Sequence, residues 1–300
     1  MKRREFMVSG AALVAGTLVA RSAAAAPGPV EEKGSALMPP ANQRIKTLTI
    51  KNIVIGEGQP KLIVPTTAKN SADALAAVKN YAGNPAIQLV ELRLDTLADE
   101  PDNAALAALT RQAYALLPSQ ALLVTFRTRA EGGNRALSDE AYAALCDDII
   151  THGKADLLDI EMFRGEARVK ALVEKAHRAG IAVVMSSHDF HQTPPNEEIV
   201  NRLRHQQALG ADVLKLAAMP QDSGDVLRLM SATWEVYSRY AERPLLTMAM
   251  SGTGVVSRLA GELTGSALTF GMVGQASAPG QIEAEDLNAV LKIIHQANQG

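Results

Sequence analysis

The chain has 300 residues and a formal net charge of −2, with no basic block beyond its first residues. Phosphate binding needs clustered Lys and Arg, so a nucleic-acid surface is excluded as the main function. Hydrophobic content of 47% with charged content of 21% is that of a globular protein long enough for one large domain, and its single cysteine, Cys146, excludes an internal disulfide.

Residues 1–26 read as a signal peptide. They have a basic start, an apolar run of about 14 residues that is short for a membrane span, and an Ala-rich end. Arg3-Arg4-Glu5-Phe6-Met7 resembles the twin-arginine signal R-R-x-F-[LM]. That resemblance implies the twin-arginine export machinery as a partner and the periplasm as the destination. Cleavage is expected near Ala24 to Ala26 and removes more positive than negative charge. Residues 27–45, with Pro27, Gly28, Pro29, Gly34, Pro39 and Pro40, read as a flexible linker. The folded domain is expected over 46–300.

From there the pattern alternates. TLTIKNIVIG (47–56) predicts a small β-hairpin. Eight β-rich runs follow: KLIVPTT, IQLVELRLD, ALLVTFR, DLLDIEMF, IAVVMSSHD, VLKLAAM, PLLTMAM and ALTFGMV. Segments of 3.6-residue period lie between them, such as SADALAAVKNYAG and GEARVKALVEKAHRAG. Asn70, Ser138 and Asn196 are N-cap candidates, and Gly153, Gly180 and Gly210 suit helix C-termini. Roughly eight strands and eight helices over some 240 residues match the count and size of a (β/α)8 TIM barrel, here with an N-terminal β-hairpin. No GxGxxG opens the first unit, which argues against a doubly wound dinucleotide fold.

In such a barrel the chemistry belongs at the C-terminal ends of the strands. Ionisable residues collect there: Glu91, Arg93 and Asp95, then Arg127, Glu161, His188 and His191. Lys215 interrupts an apolar run in VLKLAAM. A dry charge is costly, and a buried lysine that sheds its proton is a nucleophile able to form an imine. A histidine from the preceding strand can move a proton beside that imine, and a carboxylate can fix the histidine tautomer. Cys146 lies in a helix-like stretch without an activating partner and is expected to be inert. The chain lacks CxxC and HExxH spacings, so no metal is expected, and an imine needs no organic cofactor.

SSHDFHQTP, LKLAAMPQ, MSGTGVVSRLAGE and ASAPGQI resemble, in order, the motifs of the type I 3-dehydroquinate dehydratases, the Schiff-base class. The resemblance runs from about residue 46 to 297 and implies a TIM-barrel hydro-lyase that acts on a carboxylated cyclohexane, 3-dehydroquinate. It implies Lys215 as the imine-forming lysine, His188 as general acid/base and Glu161 as the carboxylate that orients it. It further implies Arg258 at the substrate carboxylate and Ser277 and Gln281 on a closing loop. Glu91, Arg93 and Arg127 would meet ring hydroxyls or the carboxylate, and Met248, Met250 and Phe270 would form apolar walls. The chain departs from some family members at Pro65 and Gly252, where they carry serine and lysine, and at Gln192, where lysine is often seen. A homodimer paired through helices is the expected assembly for a barrel enzyme of this size. An aldolase and a periplasmic binding protein for quinate-like acids are the competing readings. Arg258 with S-A-P-G-Q argues against the first, and the Lys–His–Glu set against the second.

If the leader is a twin-arginine signal, replacing Arg3 and Arg4 with lysine should retain the protein in the cytoplasm. Cell fractionation tests this, and an undiminished periplasmic pool would refute it.

Overall fold

A computed structural model describes residues 41–99 and 101–299. The expected signal peptide and residues 27–40 of the expected linker lie outside the described residues. The end of that linker is not loose: Ala41–Arg44 forms a short helix, α1. The Arg44 guanidinium donates to the carbonyls of Tyr237 and Ser238, and Ile45 enters the core. Its cationic fork finds a row of helix C-terminal carbonyls, which composition alone does not foretell.

The hairpin comprises β1 (Leu48–Ile50) and β2 (Ile53–Ile55), paired antiparallel. Eight parallel strands follow: β3 (Lys61–Pro65), β4 (Leu89–Arg93), β5 (Ala121–Thr125), β6 (Leu157–Glu161), β7 (Ala182–Asp189), β8 (Val213–Ala218), β9 (Leu245–Ala249) and β10 (Leu268–Phe270). Helices α2 (Ser71–Tyr81), α3 (Asn103–Ala115), α4 (Asp139–His152), α5 (Glu166–Arg178), α6 (Asn196–Ala208) and α7 (Ser223–Arg239) alternate with β3 to β9. The short helices α8 (Val255–Leu259) and α9 (Gly261–Thr264) precede β10, and α10 (Ala284–Gln299) closes the order. Each strand from β3 to β8 pairs with the next and β10 pairs with β3, giving a nearly closed (β/α)8 barrel. The seam between β9 and β10 is bridged by the Ala267 amide donating to the Leu245 carbonyl at 2.8 Å.

The two-residue period of each strand sorts its side chains. Leu62, Val64, Val90, Leu92, Leu122, Val124, Leu158 and Ile160 join the layer between strands and helices. The alternate residues Ile63, Leu89, Leu123, Leu157, Val184, Val213, Leu246 and Leu268 fill the barrel interior, together with hairpin residues Ile50, Ile53 and Ile55. The hairpin therefore contributes apolar packing to the interior of the barrel. Continuing along the interior period, β4 reaches Glu91 and Arg93, β6 Asp159 and Glu161, β7 Ser186 and His188, and β8 Lys215. An apolar floor beneath a polar mouth is thus written along these four strands.

The helix ends follow local chemistry. Asn70 and Ser138 accept the amides of Asp73 and Ala141 as N-caps. Asn196 does not cap: it is the first residue of α6, after Pro195, and its amide reaches Glu235 instead. After α5 and α6, Gly180 and Gly210 take φ of 73° and 92°, which lets the Ile181 and Ala211 amides return to the carbonyls of Ala176 and Gln206. Gly153 ends α4 with an ordinary extended backbone.

Leu89 is fully buried in the barrel interior. Leu89→Ala should cost about 2–5 kcal/mol of stability, measurable by urea unfolding. A loss well under 1 kcal/mol would mean that the interior is not packed as described.

Candidate active site

The site lies at the C-terminal end of the barrel, in a pocket lined by Glu91, Arg93, Arg127, Glu131, His188, Phe190, Lys215, Met248, Met250, Arg258, Phe270, Ser277 and Gln281, among others. All the residues expected from the sequence line it except Glu161.

Lys215 is 3% exposed, and its ammonium lies 2.9 Å from Asp159 Oδ2 and 4.9 Å from the centroid of the Phe270 ring. A carboxylate and an aromatic face thus answer the burial of this cation. Asp159 also accepts from Arg127 Nη2 at 2.7 Å and from Ser186 Oγ at 2.6 Å. Burial alone would raise its carboxyl, but Arg127, Lys215 and Ser186 hold it down at about 2.

His188 Nδ1 stands 2.8 Å from Glu131 Oε2. The carboxyl group that meets His188 is therefore that of Glu131, and the contact expected of Glu161 is corrected. Glu161 lies at the end of β6, fully buried. Its two oxygens accept from Arg127 Nη1 at 3.0 Å, the Thr128 amide and hydroxyl at 2.8 Å each, and Arg164 Nε at 2.8 Å. These donors occupy Glu161 and make it the anchor of the loop after β5. That loop continues into a single 3-10 turn, Arg129–Glu131, which carries Glu131 to His188. Two glycines let it pass: a Cβ on Gly132 would fall 2.1 Å from the Phe190 ring, and one on Gly133 would fall 1.8 Å from the Arg127 carbonyl oxygen. Phe190 in turn covers the imidazole, with ring centroids 6.4 Å apart.

Burial, then Arg127, Lys215 and Arg93, hold His188 well below its ordinary value, so at neutral pH it is an unprotonated base. Burial pushes the Glu131 carboxyl up to about 8, against the pull of Arg127 3.3 Å away. Burial is the largest cause of both shifts. Cys146 is buried and its thiol is pushed up to about 12 by burial, which accords with an inert side chain.

The binding residues divide in two. Glu91 accepts from Thr125 Oγ1 at 2.8 Å, and Arg93 forks onto Asp95 at 2.8 and 2.9 Å. Arg127 directs its donors at Asp159, Glu161, Ser186 and Glu131. Arg258 differs. It is 1% exposed, donates from Nη2 to the Pro279 carbonyl at 3.1 Å, and leaves Nε and Nη1 without partners. Burial without a counter-charge lowers it to about 10. A guanidinium held dry and unsatisfied in a pocket is a receptor for an anion. Its bond to Pro279 ties it to the loop of Ser277 and Gln281, whose side chains hydrogen-bond each other at 3.0 Å. Met248, Met250 and Phe270 are buried and supply the apolar wall. Gly252 faces open space, and Gln192 is exposed with its amide on Asp189, so two of the departures lie outside this charge network.

The sequence reading missed Glu131, Asp159, Ser186 and Phe190. Asp159 was legible as the alternate residue before Glu161 on one strand. The Glu-Gly-Gly run at 131–133 was the available sign of a carboxylate on a tight loop.

The family model for type I 3-dehydroquinase matches residues 62–298. A 3-dehydroquinate dehydratase of Salmonella agona is 47% identical over 253 residues, covering 84% of this chain and 100% of the relative. An Escherichia coli 3-dehydroquinate dehydratase matches to the same extent. Among solved structures, the type I 3-dehydroquinate dehydratase of Clostridium difficile, with covalent modified comenic acid, superposes with a TM-score of 0.81 at 41% identity, over 84% of this chain and 99% of that one. The Enterococcus faecalis 3-dehydroquinate dehydratase gives 0.77 at 42%, over 82% and 98%.

Glu131→Gln should lower kcat by roughly 10²-fold, in the range set by general acid–base catalysis, with little change in unfolding midpoint. Glu161→Gln breaks a buried ion-pair cluster and should cost about 3–5 kcal/mol of stability. Steady-state kinetics beside thermal unfolding separates the two. A fully active Glu131→Gln would remove Glu131 from its place behind His188.

Proposed function

Because the chain belongs to the type I 3-dehydroquinase family, we propose that its barrel mouth dehydrates 3-dehydroquinate to 3-dehydroshikimate through an imine on Lys215. The enzyme is a hydro-lyase. One observation carries the mechanism: an amine, an uncharged imidazole and an unsatisfied buried guanidinium line a single pocket.

Arg258 receives the substrate carboxylate, and the apolar wall with Glu91, Arg93 and Arg127 orients the ring. His188 takes a proton from the Lys215 ammonium, and the freed amine bonds to the C3 carbonyl carbon. The carbonyl oxygen takes that proton back, His188 carries a second proton from the attacking nitrogen to the same oxygen, and the oxygen leaves as water, so that nitrogen becomes an iminium. His188 next removes a proton from C2, and the electron pair moves into the iminium to give an enamine. The enamine expels the C1 hydroxyl, which leaves as water with the proton that His188 carried. Hydrolysis of the conjugated imine releases product and restores Lys215. Glu131 holds the imidazole so that the ring nitrogen remote from it faces the reacting carbon. No metal enters these steps, and the lysine nitrogen serves as the electron sink.

An aldolase or a non-catalytic binding protein does not fit membership of this family. The leader, read as a twin-arginine signal, supports export to the periplasm, where a dehydratase would act in the degradation of external quinate or shikimate.

Borohydride added with 3-dehydroquinate should reduce the imine to a stable secondary amine, seen as a mass adduct that maps to Lys215. Lys215→Met should give neither adduct nor turnover. His188→Ala should still trap an adduct, slowly, while turnover falls by roughly 10²-fold or more. An adduct on any other lysine, or full activity in Lys215→Met, would overturn the mechanism.

A further inference from the structure

We propose that Asp159 is the fixed counter-ion of the cationic imine, favouring positive charge on the Lys215 nitrogen before attack and at the step that removes the C2 proton. The inference rests on the imine reading above and adds to it the group that makes the imine an effective electron sink.

Three neighbouring strands build the arrangement. Asp159 lies on β6, Ser186 on β7 and Lys215 on β8, with Ser186 and Lys215 in register. Asp159 Oδ2 is 2.9 Å from the Lys215 nitrogen, and the Asp159 side chain is wholly buried. The Phe270 ring faces the same nitrogen at 4.9 Å. The cation therefore sits between a carboxylate and an aromatic face, without bulk water.

The resting ammonium and the iminium both carry one positive charge on the same nitrogen. A carboxylate fixed beside that nitrogen matches the state before attack and the state from which the C2 proton is lost. It disfavours the neutral imine, which is a poor acceptor of the C2–H electron pair. In a buried site this preference is large, because little solvent competes for the charge.

Asp159 is suited to remain an anion while protons move around it. The charged groups facing it are Arg127, just past the end of β5, and Lys215 on β8, with Ser186 donating to its other oxygen. Arg127 also ties it electrostatically to Glu161 and Glu131. With donors on both oxygens, Asp159 has no need of the lysine proton. That proton goes to His188, whose imidazole lines the same pocket. Asp159 is thus a counter-ion and not a base, a distinction that a mere loss of activity would not reveal.

Cyanoborohydride reduces iminium ions far faster than neutral imines, so it reports the charge on the trapped nitrogen. With 3-dehydroquinate, the wild-type enzyme should give a Lys215 adduct whose yield is nearly constant from roughly pH 6 to 9, a window below the ordinary lysine value. Asp159→Asn should lower kcat by roughly 10²-fold or more with KM changed only a few-fold, and its adduct yield should fall steeply as pH rises through that window. Ser186→Ala keeps the carboxylate but removes one of its donors. It should shift the same pH dependence in the same direction by a smaller amount, and it carries the test if Asp159→Asn does not fold. A purely structural role would lower stability without moving the pH dependence of trapping. If wild type traps on Lys215 while the folded variants trap with unchanged pH dependence, the counter-ion role is overturned and the imine stands. If wild type forms no adduct, the imine reading falls and this inference with it.

Discussion

The mouth of the barrel depends on one buried guanidinium. Arg127 reaches Asp159, Glu161 and Glu131, at 2.7, 3.0 and 3.3 Å, from a side chain with almost no exposure. Without it, three carboxylates would share a site closed to water, and none of the geometry around Lys215 or His188 would persist as described. With it, the three carboxylates serve different ends. Asp159 faces the lysine, Glu131 faces the histidine, and Glu161 anchors the chain between them.

That division would let the proposed acid–base chemistry and covalent chemistry occupy one pocket. His188 is kept neutral by burial and by neighbouring cations, while Lys215 meets its carboxylate directly. Arg258 stands apart from this network. Its Nε and Nη1 have no partner within the protein, so in the proposed mechanism recognition of the substrate anion is separated from the charges that run the reaction.

The scaffold makes these placements rigid. Apolar residues of all eight strands and of the hairpin fill the barrel beneath the site, and the polar residues ride on the same strands, one or two steps further along. A side chain that sits on a strand has its direction set by the pleat, which is more exact than a loop allows. Glu131, by contrast, is carried by a loop. Its position is accordingly secured by Glu161 bonding the Thr128 amide and hydroxyl, and by glycines packed against Phe190 and Arg127.

The sequence by itself determined the eight strands, the hairpin and the barrel, because period and punctuation are local properties that survive any packing. It likewise exposed Lys215, His188 and Arg258, which stand in motifs or interrupt apolar runs. The tertiary structure alone decided which carboxyl group meets which basic side chain. Glu131 meets His188 across 57 positions and Asp159 meets Lys215 across 56, and Glu161, a plausible partner by strand order, is taken up by Thr128, Arg127 and Arg164. Pairing at that range follows from how far a loop folds back over the barrel mouth and from which donors reach an oxygen first. Neither is encoded in the spacing of residues along one strand.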